Sequence, residues 1–191
     1  RVLFPALAEA NGFDRNKVTF VSMSPGATIP SLLAGKVDAI GLYTTTAPIL
    51  IRAAKKEGRK VHGVVWADFG IKVYGNSLQA PDKTIAEKPA LVRGVVGATM
   101  RGWQGAVRAP DEAVNIFIRH FPSANREIAR SQFEIFLKHM ITPIVREKGL
   151  GYMDKKTMEY NRDLITKLFK LKNRVSVQEL YTNRFLPGVK P

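Results

Sequence analysis

The sequence predicts an α/β chain whose front third runs βαβαβ and whose remainder is a layer of helices. Three observations predict it. Short runs of β-branched and apolar residues alternate with helix-length segments up to about residue 66. Gly and Pro stand at the junctions between them. From Pro89 onward helical spacing takes over.

Val2 to Asn11 carries apolar residues at helical spacing, and Asn11-Gly12 supplies a helix stop. Lys17 to Met23 is β-rich, and Ser24-Pro25-Gly26 turns the chain. Thr28 to Leu33 reads as a short helix with Thr28 as its N-cap. Gly35 ends it, and Val37 to Leu42 has the apolar run of a buried parallel strand. Thr44-Thr45-Thr46-Ala47-Pro48 turns into a helix that reaches about Lys56 and stops at Gly58. Val61 to Trp66 is a third strand. The rhythm changes at Ala67-Asp68-Phe69-Gly70, with Ile71 to Tyr74 as one more extended segment. The predicted helices behind it are Pro89–Arg108, Pro110–Phe121, Arg126–Thr142, Asp154–Leu171 and a short Val177–Tyr181. A chain crossing between two lobes near residues 67–75 accounts for the switch. Loops that leave the strands of an open α/β sheet share one edge, where such folds hold ligands.

Composition narrows the function. With 191 residues, 45% apolar and 24% charged, the chain has the make-up of a globular protein. No apolar run approaches the ~20 residues of a membrane span. Arg1 opens directly onto a helix-like pattern without an export signal, which leads us to expect a fragment or a processed product. The absence of cysteine excludes disulfides, thiolate metal sites and cysteine nucleophiles. The net charge of +14 is spread along the chain: residues 1–80 carry 10 basic and 5 acidic groups, residues 81–191 carry 20 and 11. No nucleic-acid motif accompanies that charge, so it reads as a basic surface rather than a nucleic-acid interface.

Catalytic signatures do not assemble. His62, His120 and His139 lie far apart without ligand spacing, and neither HExxH, a Walker loop nor Gly-x-Ser-x-Gly occurs. Gly94-Val95-Val96-Gly97 falls inside a helical pattern, where it serves packing rather than phosphate binding. Asp111-Glu112 follows Pro110 at a helix start and complements the helix dipole. The basic stretch 167–174, KLFKLKNR, reads as an amphipathic helix with a solvated face. We therefore expect no enzyme, no cofactor and no metal.

Several segments, in order, resemble the substrate-binding proteins of ABC transporters, in the nitrate/sulfonate/taurine and thiamine-pyrimidine-precursor binding family. They are Arg1-Val2-Leu3-Phe4-Pro5-Ala6-Leu7-Ala8 and Leu33-Ala34-Gly35-Lys36-Val37-Asp38-Ala39-Ile40. Arg101-Gly102-Trp103, Ala109-Pro110-Asp111-Glu112-Ala113 and Leu180-Tyr181-Thr182-Asn183-Arg184-Phe185-Leu186-Pro187 complete the series. The resemblance implies a periplasmic binding protein type II-like fold: two lobes, each a sheet flanked by helices, here incomplete at the N-terminus. Residues 1–67 would be the second lobe, lacking its first strand. Residues 68–191 would return to the first lobe and be mostly helical. The implied function is capture of a sulfonate, nitrate, taurine or pyrimidine-like compound in an interlobe cleft for an ABC permease. The location would be periplasmic, or extracytoplasmic and membrane-anchored, with membrane contact only through the permease or a lipid anchor. The same fold also serves as the ligand-sensing effector domain of transcription regulators, which stays open as the alternative. A pyrimidine-synthesising enzyme branch depends on cysteines that this chain lacks.

Three loops follow as the expected ligand contacts. Ser24-Pro25-Gly26-Ala27-Thr28 offers hydroxyls and backbone N–H groups at a helix start, or serves only as turn and cap. In Tyr43-Thr44-Thr45-Thr46, Thr46 reads as a cap, and Tyr43, Thr44 and Thr45 carry the expectation of contact. Asp68 and Phe69, with Trp66 and Tyr74 nearby, offer a carboxylate and aromatic faces, or tie down the crossover. Ser24, Gly26, Ala27, Thr28, Tyr43, Thr44, Thr45, Asp68, Phe69 and, facing the cleft from the first helix, Arg1 form the candidate set. Asp38 begins its strand rather than ending it and is assigned to the Gly35 turn.

Overall fold

Pro, Asn, Asp and Thr at the right places turn most of this chain into helix. A computed structural model describes residues 2–191; Arg1 lies outside the described residues. The helices are α1 (Phe4–Ala10), α2 (Pro25–Leu33), α3 (Ala47–Lys56), α4 (Asp82–Glu87), α5 (Pro89–Arg108), α6 (Pro110–His120), α7 (Arg126–Met140), α8 (Pro143–Lys148), α9 (Lys155–Phe169) and α10 (Val177–Leu180). Short 3₁₀ turns occupy Arg15–Lys17, Thr44–Thr46 and Trp66–Phe69. Proline stands in the first turn of α1, α2, α3, α5, α6 and α8, where its missing N–H costs nothing. Asn125 caps α7 by accepting from the Ile128 N–H at 3.0 Å, and Asp154 caps α9 from the Thr157 N–H at 2.9 Å.

The helices pack in a chain of neighbours: α4 on α5, α5 on α6, α6 on α7, and α7 against both α3 and the Thr44–Thr46 turn. One core gathers Ala6, Leu7 and Ile71, with Leu3, Phe4, Trp66, Leu164 and Leu168 around them, and so ties α1 to α9. A second gathers Met100, Val145 and Leu150, with Trp103, Ile144, Leu186 and Val189, and ties α5 and α8 to the C-terminal segment. Trp103 stacks on Phe136 with ring centres 4.7 Å apart. The backbone bond from Leu150 N–H to Val189 O, 2.8 Å, pins that segment in place. Both cores are small. The accessible surface is 13667 Å², about half as much again as the ~9,100 Å² of a compact monomer of this mass. No helix among the described residues is long and apolar enough to cross a membrane.

The predicted sheet is absent. Among the described residues there is no strand, so the α/β fold class and the lobes built on flanked sheets are overturned in favour of an all-helical arrangement. The predicted strands at Lys17–Met23, Val37–Leu42, Val61–Trp66 and Ile71–Tyr74 run as irregular chain, apart from Lys17 and Trp66, which belong to 3₁₀ turns. The reason is the difference between a backbone preference and a pairing. Val18 and Val65 do take extended dihedrals, at φ/ψ of −112/118 and −88/113. A buried parallel strand also needs a neighbour's N–H and C=O groups and cover on both faces. These segments receive no strand partner, and cover only in part: Val21 is 60% and Val64 63% exposed, while Ile71 is buried in the first core. β-propensity records fit to a pleated, half-buried surface, and here that surface is missing.

The helical expectations fare better. Pro89–Arg108 appears as predicted, and the helices predicted from Pro110, Arg126, Asp154 and Val177 appear with ends one or two residues shorter or later. The first-turn helix is corrected: α2 starts at Pro25, so Ser24 holds the N-cap place and Thr28 lies inside the helix. Two six-residue helices, α4 and α8, were not predicted.

Candidate functional site

The Ser24–Thr28 turn is built by Pro25, which fixes the first helical residue and leaves Ser24 extended at φ −67, ψ 151. The Ser24 carbonyl accepts from the Ala27 N–H at 3.0 Å and from the Thr28 hydroxyl at 3.3 Å. The Thr28 hydroxyl is therefore spent on its own helix. Ser24 makes no side-chain cap bond, and a Cβ added at Gly26 would meet nothing within 4 Å. What the turn presents is an exposed serine hydroxyl and an exposed glycine at the positive end of α2.

Tyr43 precedes the Thr44–Thr46 turn and is 76% exposed. Its carbonyl accepts from the Thr46 N–H at 2.8 Å, which closes the turn into α3. Thr46 makes no side-chain cap bond, although it stands in the cap place. Thr44 and Thr45 are half-buried, and their turn packs on α7. That leaves the Tyr43 ring as the freely presented group of this loop.

The third loop is the most constrained. The Asn11 side chain donates to Leu7 O at 2.9 Å and to Phe69 O at 3.0 Å, joining α1 to the Trp66–Phe69 turn. The Tyr160 hydroxyl of α9 donates to Gly70 O at 2.9 Å. Asn161 of α9 accepts from the Tyr74 N–H at 3.0 Å, and the Tyr74 hydroxyl accepts from the Asp154 N–H at 2.8 Å. Stitched on both sides, the turn holds the Asp68 carboxylate and the Phe69 ring outward; Phe69 is 46% exposed. Among the described residues Asp68 forms no ion pair.

Trp66, on the inner side of the same turn, belongs to an aromatic group that spacing alone did not reveal. Phe4 meets Phe20 edge-on at 5.0 Å and Phe13 at 5.6 Å, and lies 6.4 Å from Trp66. Phe13 and Phe20 remain 40% and 42% exposed. The signal for it was present as phenylalanines at 4, 13 and 20 flanking the Asn11-Gly12 stop, but their convergence is tertiary.

The structure thus brings the Asp68–Phe69 loop together with the α1 aromatics. It seats the Tyr43–Thr45 loop on α7 and the Ser24–Thr28 loop at the head of α2, which packs on α3. No hydrogen bond or ion pair among the described residues joins one of these loops to another. Arg1, the tenth candidate, lies outside the described residues. No group of three His, Asp or Glu side chains among the described residues is placed to hold a metal. Elsewhere among the described residues lie an open depression of about 240 Å³ beside α10, including Tyr181 and Asn183, and another of about 540 Å³ between α4, α5 and Arg184-Phe185.

Comparison with known proteins adds a family to this geometry. The chain is 28% identical over 153 residues to the riboflavin-binding protein RibY of Chloroflexus aurantiacus, an alignment covering 78% of this chain and 42% of that protein. The chain thus spans less than half the length of this curated relative. The family model described as NMT1/THI5 like matches residues 1–113, which hold all three candidate loops and the aromatic group. The chain belongs to the NMT1/THI5-like family.

Proposed function

We propose that this chain is part of the solute-binding component of an ABC importer, working outside the cytoplasm. It captures a small molecule reversibly and presents it to a permease. In this reading residues 1–67 belong to the second of two lobes and residues 68–191 to the first, and ligand binding closes one on the other. Family membership and the likeness to a riboflavin-binding protein support it.

The observation that carries the ligand class is the aromatic group of Phe4, Phe13, Phe20 and Trp66, whose Trp66 shares its turn with the outward Asp68 and Phe69. Ring faces favour a planar heterocycle, and a carboxylate beside them accepts from ring N–H or amine donors. A flavin or a pyrimidine fits this chemistry better than nitrate or taurine, which carry no aromatic ring to stack. Ser24 and Gly26 supply polar contacts from one side, where Ala27 and Thr28 line the turn with their polar hydrogens bonded to the Ser24 carbonyl; Tyr43, Thr44 and Thr45 supply them from another, and Arg1 a positive charge.

The test is calorimetric titration of the full-length protein that contains this chain with riboflavin, a pyrimidine precursor, taurine and nitrate. A planar heterocycle is expected to bind, and Phe69→Ala to weaken it about threefold to tenfold through loss of one aromatic contact. Binding of none of the four solutes would sink the reading. Binding of taurine or nitrate alone would leave the importer role and remove the ring-stacking site.

A further inference from the structure

Away from the candidate loops, the depression between α4, α5 and the C-terminal segment has an unusual floor. Phe185 is buried, 5% exposed, and two guanidinium groups lie over its ring. Arg184 Cζ is 4.6 Å and Arg93 Cζ 5.6 Å from the ring centre. Arg93 also donates to the Arg184 carbonyl at 3.4 Å, so its plane is held by a ring and by a backbone oxygen. Each guanidinium carries five N–H donors, and that one bond leaves most of them unused. Eight ion pairs form among the described residues, and neither Arg93 nor Arg184 takes part in any. Asp82 stands at the rim without pairing to either. Ile85, Ala86 and Pro89 make the adjoining wall apolar.

Two like charges beside one ring repel each other weakly in water, and the two cation–π contacts hold them there despite it. A bridging oxyanion removes the repulsion and gains forked, charge-assisted hydrogen bonds. The apolar wall gives the anion's organic body a surface to lie on. We propose that this depression is a second binding site, one that takes the phosphate or sulfonate group of a small organic molecule. It stands apart from the proposed solute site and does not rest on it.

The probe is phenyl phosphate, titrated into the full-length protein by calorimetry, with inorganic phosphate and phenol as its two halves. Phenyl phosphate is expected to bind more tightly than inorganic phosphate, and phenol not to bind. Arg93→Ala and Arg184→Ala are each expected to weaken phenyl phosphate about tenfold, the loss of one charge-assisted hydrogen bond, with circular dichroism unchanged. Arg93→Lys, which keeps the charge and loses the fork, is expected to bind at an intermediate level. Failure of phenyl phosphate to bind, or equal binding by both alanine variants and the parent, overturns the proposal. Full parental affinity in Arg93→Lys overturns recognition by the guanidinium fork. Equal binding of phenol and phenyl phosphate overturns it as well, because the wall would then be the whole site.

Discussion

Substituting Gly149 by alanine is expected to cost about 3 kcal/mol, which joins a backbone strain of ~1–3 kcal/mol to a steric cost of similar size. Gly149 ends α8 at φ 110, ψ 165, a region that only glycine occupies comfortably. A Cβ there would lie 3.1 Å from both the Gly188 carbonyl carbon and the Val189 oxygen, and 3.3 Å from Gly188 Cα. Those are backbone atoms, so no side-chain rotation relieves the contact. Moving them away strains the bond from Leu150 N–H to Val189 O and loosens the core around Leu150. Gly188→Ala is the internal control. Its φ is 69, yet an added Cβ would meet nothing within 4 Å. It should therefore cost only the ~1 kcal/mol of a left-handed alanine. Thermal unfolding followed by far-ultraviolet circular dichroism reads both. For a chain of this size the midpoint should fall by roughly 6–12 °C for Gly149→Ala and by roughly 2–4 °C for Gly188→Ala. Equal shifts in the two variants would refute the reasoning, because the close approach would then contribute nothing.

Two further predictions address packing and charge. Leu150→Ala, at a side chain 1% exposed, should cost about 2–5 kcal/mol, whereas Val21→Ala, 60% exposed, should stay within about 0.5 kcal/mol; urea unfolding midpoints compare them. Asp163 is held below its ordinary 3.8 by the hydrogen bond from Arg162 and then by Arg174, whose guanidinium donates to both carboxylate oxygens at 2.8 Å. A carboxyl whose folded value is depressed contributes stability above its unfolded value and loses it as pH falls through the folded one. Asp163→Asn should therefore lower the unfolding midpoint at neutral pH, and its difference from the parent should close on acidification below 3.8. A difference that persists unchanged into strong acid would contradict the pairing.

Helices were legible where their signals are local. Pro89 opening a long amphipathic run, and helical spacing from Arg126 and from Asp154, place α5, α7 and α9 from sequence to within a residue or two. The short helices α4 and α8 were hidden because six residues carry too little periodicity, and because Pro143 reads equally as a breaker and as a first-turn residue. The predicted strands failed for a different reason. Val18–Met23 has the residues of a strand, but a strand is a relation between two segments, and no local signal states whether the partner arrives. The candidate site shows the same division. Asp68 and Phe69 were legible as an outward turn, whereas the meeting of Phe13 and Phe20 on Phe4, beside Trp66, comes only with the packing of α1. The Arg93–Phe185–Arg184 arrangement joins residues about ninety positions apart and had no sequence signature.

The two separate cores set how the molecule breathes. One holds α1, the Trp66–Ile71 crossing and α9; the other holds α5, α8 and the final segment around Leu186 and Val189. Cooperative opening follows contiguous packing, so amide hydrogen exchange should divide into two groups of protected residues, each with its own opening free energy. The amides of the intervening extended segments should exchange almost as freely as those of an unstructured peptide.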